Sequence, residues 1–93
     1  MIKYTSIKPE CDPFVGSASA AGLDLKIYLG ENARDDMIAI RPGETKVLRT
    51  GVAFEIPELW CGLVAPRSST GKLRIQLENT IGVIDADYQG DIS

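Results

Sequence analysis

What limits this chain most is an apolar–polar alternation with a period of two, restarted along the sequence and broken by glycine and proline. The clearest run has Leu23, Leu25, Ile27 and Leu29 alternating with Asp24, Lys26 and Tyr28. A period of two places every second side chain on one face of an extended chain, so this run predicts a strand with one apolar face. Ile2, Tyr4 and Ser6 alternate with Lys3 and Thr5 in a first strand that Pro9 and Pro13 close off. Val52, Phe54 and Ile56 alternate with Ala53 and Glu55 up to Pro57, and Leu73, Ile75 and Leu77 alternate with Arg74, Gln76 and Glu78. A further strand is expected around Thr45 to Arg49, after Arg41-Pro42-Gly43-Glu44, where Pro then Gly suits the centre of a turn. Trp60 to Ala65, ended by Pro66, is an unbroken apolar run of the kind buried on both faces. Gly30 to Met37 is polar and irregular and reads as a surface loop. No stretch carries a useful helical period, and strands at this spacing predict an all-β sandwich or barrel.

The last dozen residues combine this pattern with chemistry. Ile81 to Ile84 and Tyr88 to Ile92 are two apolar arms around a short polar break with Asp85 at its entry, which predicts a β-hairpin. A hairpin tip can hold Asp85 as a preorganised base while the ring of Tyr88 offers a flat wall to a ligand. The plainer reading is that Asp85 only starts the turn, because an Asp side chain bonds the backbone two residues on.

With 93 residues, one domain over 1–93 is expected. A domain of this size buries only about two thirds of the surface of its unfolded chain, so a partner subunit would add to its core. The net charge of −3, without a basic tail or stripe, argues against a nucleic-acid partner. No apolar run approaches the length that spans a bilayer, and the start lacks the apolar core of a signal peptide, so a cytoplasmic address is the default. The chain has no histidine, which removes the commonest general base and the commonest zinc ligand. Cys11 and Cys61 stand 50 residues apart and read as small hydrophobes in a reducing compartment. Chemistry here must use carboxylates, hydroxyls, amides and a few cations, and a participating metal would be a hard, oxygen-liking one such as Mg²⁺.

Two other stretches fit that chemistry. Pro66-Arg67-Ser68-Ser69-Thr70-Gly71-Lys72 places hydroxyls and cations between strands. It reads either as an anion cradle, with Arg67 binding bidentately, or as a solvated connection. Lys72 and Arg74 read most simply as exposed charges flanking a strand. The small residues from Val15 to Gly22 let backbones approach closely, and Asp24 beyond them sits on the polar phase of its strand.

Ala21-Gly22-Leu23-Asp24-Leu25, then Pro66-Arg67-Ser68-Ser69, then Gly82-Val83-Ile84-Asp85-Ala86-Asp87-Tyr88-Gln89-Gly90-Asp91 resemble the first three of five signature motifs of the trimeric deoxyuridine triphosphatases, the dUTPases. Ser69 departs from that family's usual glycine, Asn79 falls where the family has an asparagine, and the fourth and fifth motifs have no counterpart. The resemblance implies a jelly-roll or distorted β-barrel subunit, here incomplete at its C-terminus, that assembles into a homotrimer with active sites between subunits. It implies a hydrolase that converts dUTP to dUMP and pyrophosphate by water attack at the α-phosphorus, with Mg²⁺ held chiefly by the substrate phosphates. By the same resemblance Asp85 orients and deprotonates the water, and Tyr88 lies under the deoxyribose. Asn79 reads uracil with the hairpin backbone at Gly82 and Ile84, Ser68 and Ser69 meet phosphate, and Arg67 and Asp24 brace the site.

Two alternatives remain at this level. The deaminase branch of the superfamily acts on dCTP; it commonly carries glycine and a bulky aromatic in place of Asp87-Tyr88, whereas Ser69 leans its way. A non-catalytic, truncated dUTPase-like subunit would keep the fold without turnover. From the abrupt end at Ser93, weak or absent activity is expected of these residues alone.

Overall fold

A computed structural model describes residues 2–30 and 37–93; most of the expected Gly30–Met37 loop lies outside the described residues. Strand β1 (Lys3–Ser6) pairs antiparallel with β2 (Val52–Glu55), from Lys3 opposite Glu55 to Ser6 opposite Val52. Ile7 N–H donates to the Gly51 carbonyl at 2.9 Å beyond the ladder, and a 3₁₀ turn over Pro9–Cys11 folds the chain back toward it. Val52 is fully buried, with Cys11, Ile56 and Ile92 buried as well. These four side chains form the core among the described residues.

The far end of the chain closes this core. Ile92 N–H donates to the Val52 carbonyl at 2.8 Å, and Thr50 N–H donates to the Ile92 carbonyl at 2.9 Å. Thr50 is itself buried; its Oγ1 donates to the Ile92 carbonyl at 2.7 Å and accepts from Val52 N–H at 3.2 Å. A buried hydroxyl satisfied on both sides avoids the cost of about 1–3 kcal/mol that an unpaired one would carry.

The second sheet pairs β3 (Gly62–Val64) antiparallel with β4 (Gly82–Ile84), with Leu63 opposite Val83. That cross-strand pair faces outward, Leu63 70% and Val83 62% exposed. Between the two strands lies one short helix, α1 (Ser68–Lys72). The molecular surface is 7813 Å², whereas a compact monomer of 10.1 kDa would present about 5,300 Å². The protein is thus an open all-β structure with a small core and a large apolar surface.

The strands expected over residues 2–6 and 52–56 are present, and so is the turn at Pro42-Gly43, where Glu44 N–H returns to the Arg41 carbonyl at 2.9 Å and Gly43 has φ of +79°. Other expectations are corrected. The run from Leu23 to Leu29 forms no ladder: Asp24 makes an isolated bridge with Phe14, and Tyr28 N–H reaches the Arg49 carbonyl. Alternation prepares a face, but a strand also needs a neighbour along its length. The stretch around Thr45 to Arg49 lacks a ladder for the same reason. The Trp60–Ala65 run yields a short strand that is half open instead of buried on both faces.

The Pro66–Lys72 loop contains α1, and its closure cancels the strand expected over Leu73 to Leu77. Arg74 N–H bonds the Gly71 carbonyl at 3.0 Å and Ile75 N–H bonds the Thr70 carbonyl at 3.2 Å, with Arg74 left-handed at φ of +59°. This is the Schellman closure of a helix, in which glycine usually takes the left-handed position. A residue with a side chain there costs about 1–2 kcal/mol. The terminal hairpin is corrected too: β4 pairs with β3, while the arm at Ile92 joins β2.

Candidate functional site

β3 runs out at Ala65-Pro66, since proline has no N–H for a ladder. Arg67 then stands in an extended backbone just ahead of α1. Its Nε meets Asp24 Oδ1 at 3.4 Å. Asp24 is held by two backbone bonds with Phe14, of 2.8 and 3.1 Å, and Gly16 leaves room for it: a methyl there would come 3.1 Å from Asp24 Oδ2. The first two sequence stretches of interest are therefore in contact. The ion pair is partly exposed, so its stabilisation is at most about 1 kcal/mol. Ser68 and Ser69 open α1, and Ser68 lines a hollow of about 430 Å³ with Pro66, Arg67, Gly71, Arg74 and Gln76.

Asn79 lies in a tight turn before β4. Thr80 N–H returns to the Leu77 carbonyl at 3.1 Å and Ile81 N–H to the Asn79 carbonyl at 2.7 Å, with Thr80 left-handed at φ of +64°. A β-branched residue in that region is an outlier, and the turn it closes sets Asn79 beside the first residue of β4. A methyl on Gly82 would sit 3.8 Å from Asn79 Nδ2 and 3.4 Å from Val64 Cβ, ordinary contact distances that show both side chains lie against this end of the strand. β4 has β3 on one edge only, which leaves backbone groups of its other edge free of ladder bonds among the described residues.

Asp85 leaves the end of β4 and opens a turn closed by Tyr88 N–H to the Asp85 carbonyl at 3.1 Å. The backbone makes the turn, and the exposed carboxylate has no hydrogen bond or ion pair among the described residues. Tyr88 is held more firmly. Its hydroxyl donates to the Asp91 carbonyl at 2.9 Å, and its ring covers Gly90, where a methyl would lie 2.5 Å from Oη and 2.8 Å from Cζ. The Asp91 carboxylate in turn accepts from Arg49 Nε at 3.0 Å and from Gly51 N–H at 3.3 Å.

Gly90 and Asp91 fall within the third motif of the sequence but have no role assigned there, whereas Arg49 reaches Asp91 across 42 residues and carries no local signal. Replacing Gly90 by alanine is expected to lift the exposed Tyr88 ring from its seat and break its hydroxyl bond to Asp91, at a cost of no more than about 1 kcal/mol. Shifted Tyr88 ring resonances check this; unchanged resonances contradict it.

The candidate residues fall into two groups at opposite ends of the β3–β4 ladder. Val64 pairs with Gly82 at the end where Arg67, Ser68 and Asn79 lie, and Gly62 pairs with Ile84 at the end where Asp85 and Tyr88 leave. Three residues of strand separate them by roughly 10 Å. Among the described residues no hydrogen bond or ion pair joins the groups. Among the same residues no group of three or more His, Cys, Asp or Glu side chains could hold a metal ion, and no helix is long and apolar enough to cross a membrane. Both cysteines are free, Cys11 buried as expected of a small hydrophobe and Cys61 exposed.

Residues 10–93 match the family model described as dUTPase. A deoxyuridine 5'-triphosphate nucleotidohydrolase of Escherichia phage T5 is 51% identical over 92 residues, covering 99% of this chain and 62% of that protein. Proteins of the same name from Acinetobacter baumannii (strain ATCC 17978) and Acinetobacter baylyi are 43% and 42% identical over 82 residues, which is 86% of this chain and 51% of each. The chain thus spans between half and two thirds of the length of these curated relatives. On the match over residues 10–93 and an identity of 51% across nearly its whole length, this chain belongs to the dUTPase family.

Proposed function

We propose that the protein is a dUTP pyrophosphatase, hydrolysing dUTP to dUMP and pyrophosphate. The observation that carries this reading is the uncommitted carboxylate of Asp85 at the tip of β4, next to a Tyr88 ring held by its own hydroxyl. In that place Asp85 acts as a general base, accepting a proton from a water aimed at the α-phosphorus. The water oxygen bonds to that phosphorus, the bond from it to the bridging oxygen of the β-phosphate breaks, and pyrophosphate leaves. Arg67, Ser68 and Ser69 supply positive charge and hydroxyl donors for the phosphates. Asn79 and the free edge of β4 at Gly82 and Ile84 offer donors and acceptors in fixed directions for uracil. Cytosine inverts that pattern and would leave groups unpaired.

Asp85 and Asp87, in the turn that follows β4, carry oxygen donors of the kind Mg²⁺ takes. When bound, chiefly by the triphosphate, Mg²⁺ would neutralise the charge that builds on the leaving group. Assembly as a homotrimer is supported by two features. The two groups of candidate residues sit apart within one chain, so a neighbouring copy would complete each site. The outward apolar face at Leu63 and Val83 is also of the kind that subunit contacts cover. A cytoplasmic location accords with a nucleotide substrate and with the free thiols.

Incubation with Mg²⁺ and either dUTP or dCTP, following pyrophosphate and ammonia, tests the reading. Pyrophosphate from dUTP supports it, ammonia from dCTP assigns the chain to deaminase chemistry instead, and neither product leaves a non-catalytic subunit. Tyr88→Ala is expected mainly to relax discrimination against UTP, because the wall that crowds a 2′-hydroxyl is gone. An unchanged ratio of kcat/KM for dUTP over UTP would remove Tyr88 from this role.

A further inference from the structure

The hollow beside α1 holds two arginines in different electrostatic states. Arg67 is engaged by Asp24 at 3.4 Å, so part of its charge is already answered. Arg74 lines the same hollow with Ser68 and Gly71, and its side chain has no hydrogen bond or ion pair among the described residues. Its backbone is unusual as well: Arg74 occupies the left-handed position of the helix closure, φ of +59°, where glycine would fit without strain. A strained position filled by a long cation that faces an open hollow is a functional pointer, not a packing solution.

We propose that Arg74 is a polyphosphate-binding residue, supplying the uncommitted positive charge of this hollow for the phosphate chain of the ligand. That the polyanion is a nucleoside triphosphate rests on the function proposed above; that the hollow takes a polyphosphate rests on Arg74, Arg67 and Ser68 alone. In this arrangement Arg67 is the anchored member, held in place by Asp24. Arg74 is the responsive one, free to turn its guanidinium toward two phosphate oxygens at once.

The test is titration of the protein with inorganic tripolyphosphate, followed calorimetrically at two salt concentrations, for wild type, Arg74→Gln, Arg74→Gly, Arg74→Lys and Lys46→Gln. Loss of one charge-assisted contact should weaken binding about tenfold in the Gln and Gly variants and flatten the salt dependence. Arg74→Lys, which keeps the charge but lacks the guanidinium fork, should keep the salt dependence and recover only part of the affinity. Arg74→Gly should melt no lower than wild type, because glycine relieves the strained backbone, which separates lost charge from lost folding. Lys46 pairs with Glu44 and does not line the hollow, so its replacement should leave binding unchanged. Wild-type protein that does not bind tripolyphosphate, an Arg74→Gln variant that binds it as well as wild type, or an equal loss in Lys46→Gln would each overturn the proposal. The two readings fail separately. Arg74-dependent binding without pyrophosphate release from dUTP would sink the substrate assignment and leave Arg74 in place. Turnover of dUTP with tripolyphosphate binding indifferent to residue 74 would do the reverse.

Discussion

Replacing Asp85 by asparagine is expected to lower kcat for pyrophosphate release from dUTP by about 10² to 10⁴, the share a positioned general base contributes. The substitution keeps the size and planarity of the side chain and removes only its ability to take a proton. The turn at this position is closed by the Asp85 carbonyl, not by its carboxylate, and the side chain has no other partner among the described residues. Stability should therefore stay within about 0.5 kcal/mol of wild type, as for surface changes that touch nothing. Because the carboxamide still fits beside the nucleotide, KM should move little, which is the pattern of an interaction made in the transition state. Pre-steady-state rates with dUTP, alongside thermal melts of both proteins, check the pair of expectations. A variant that turns over at the wild-type rate would end the assignment of Asp85 as base. So would a fall in rate matched by a fall in melting temperature.

Much of this site was legible in the sequence because its chemistry is local. The Asp85 turn, the aromatic three residues on, and the hydroxyls after Pro66 are each written within a few positions, so spacing alone marks them. The Arg67–Asp24 contact joins residues 43 positions apart, and only the family resemblance put them together. What stayed hidden depends on where distant segments meet. The apolar face of Leu23 to Leu29 predicted a strand, yet strand formation is decided by a partner's backbone, and there only Phe14 and Arg49 supply bonds. The alternation of Leu73 to Leu77 was overruled by a helix closure in which Arg74 takes a conformation that its residue type disfavours, so no propensity rule could have signalled it. The terminal hairpin failed for a related reason. Its two arms are apolar and correctly spaced, but each finds a better edge elsewhere, β4 on β3 and Ile92 on Val52. Sending the two arms to different sheets holds the Asp85 turn between them.

Gly51→Ala should be the most destabilising single substitution at a glycine of this chain, by about 2–5 kcal/mol. Two independent costs add. Gly51 has φ of +72°, where an L side chain costs about 1–2 kcal/mol. The added methyl would also lie 2.9 Å from Ile7 Cγ1 and 3.0 Å from both Cys11 Sγ and Ile7 Cδ1, an overpacking cost of about 1–3 kcal/mol. Of the two crowded side chains, Ile7 is half exposed and can turn aside, whereas Cys11 is buried and cannot give way cheaply. Against the roughly 5–15 kcal/mol that holds a domain together, this is a large fraction. Urea unfolding of wild type, Gly51→Ala, Cys11→Ala and the double variant separates the two costs. Truncating Cys11 opens space for the methyl without changing φ, so the double variant should be more stable than the sum of the singles predicts, yet still below wild type. The effect should also reach the site. Gly51 N–H donates to the Asp91 carboxylate, and the Asp91 carbonyl holds the Tyr88 hydroxyl, so a shifted Gly51 loosens the Tyr88 ring. Strict additivity of the two substitutions would show that Cys11 does not crowd residue 51, and a Gly51→Ala protein as stable as wild type would contradict the left-handed backbone itself.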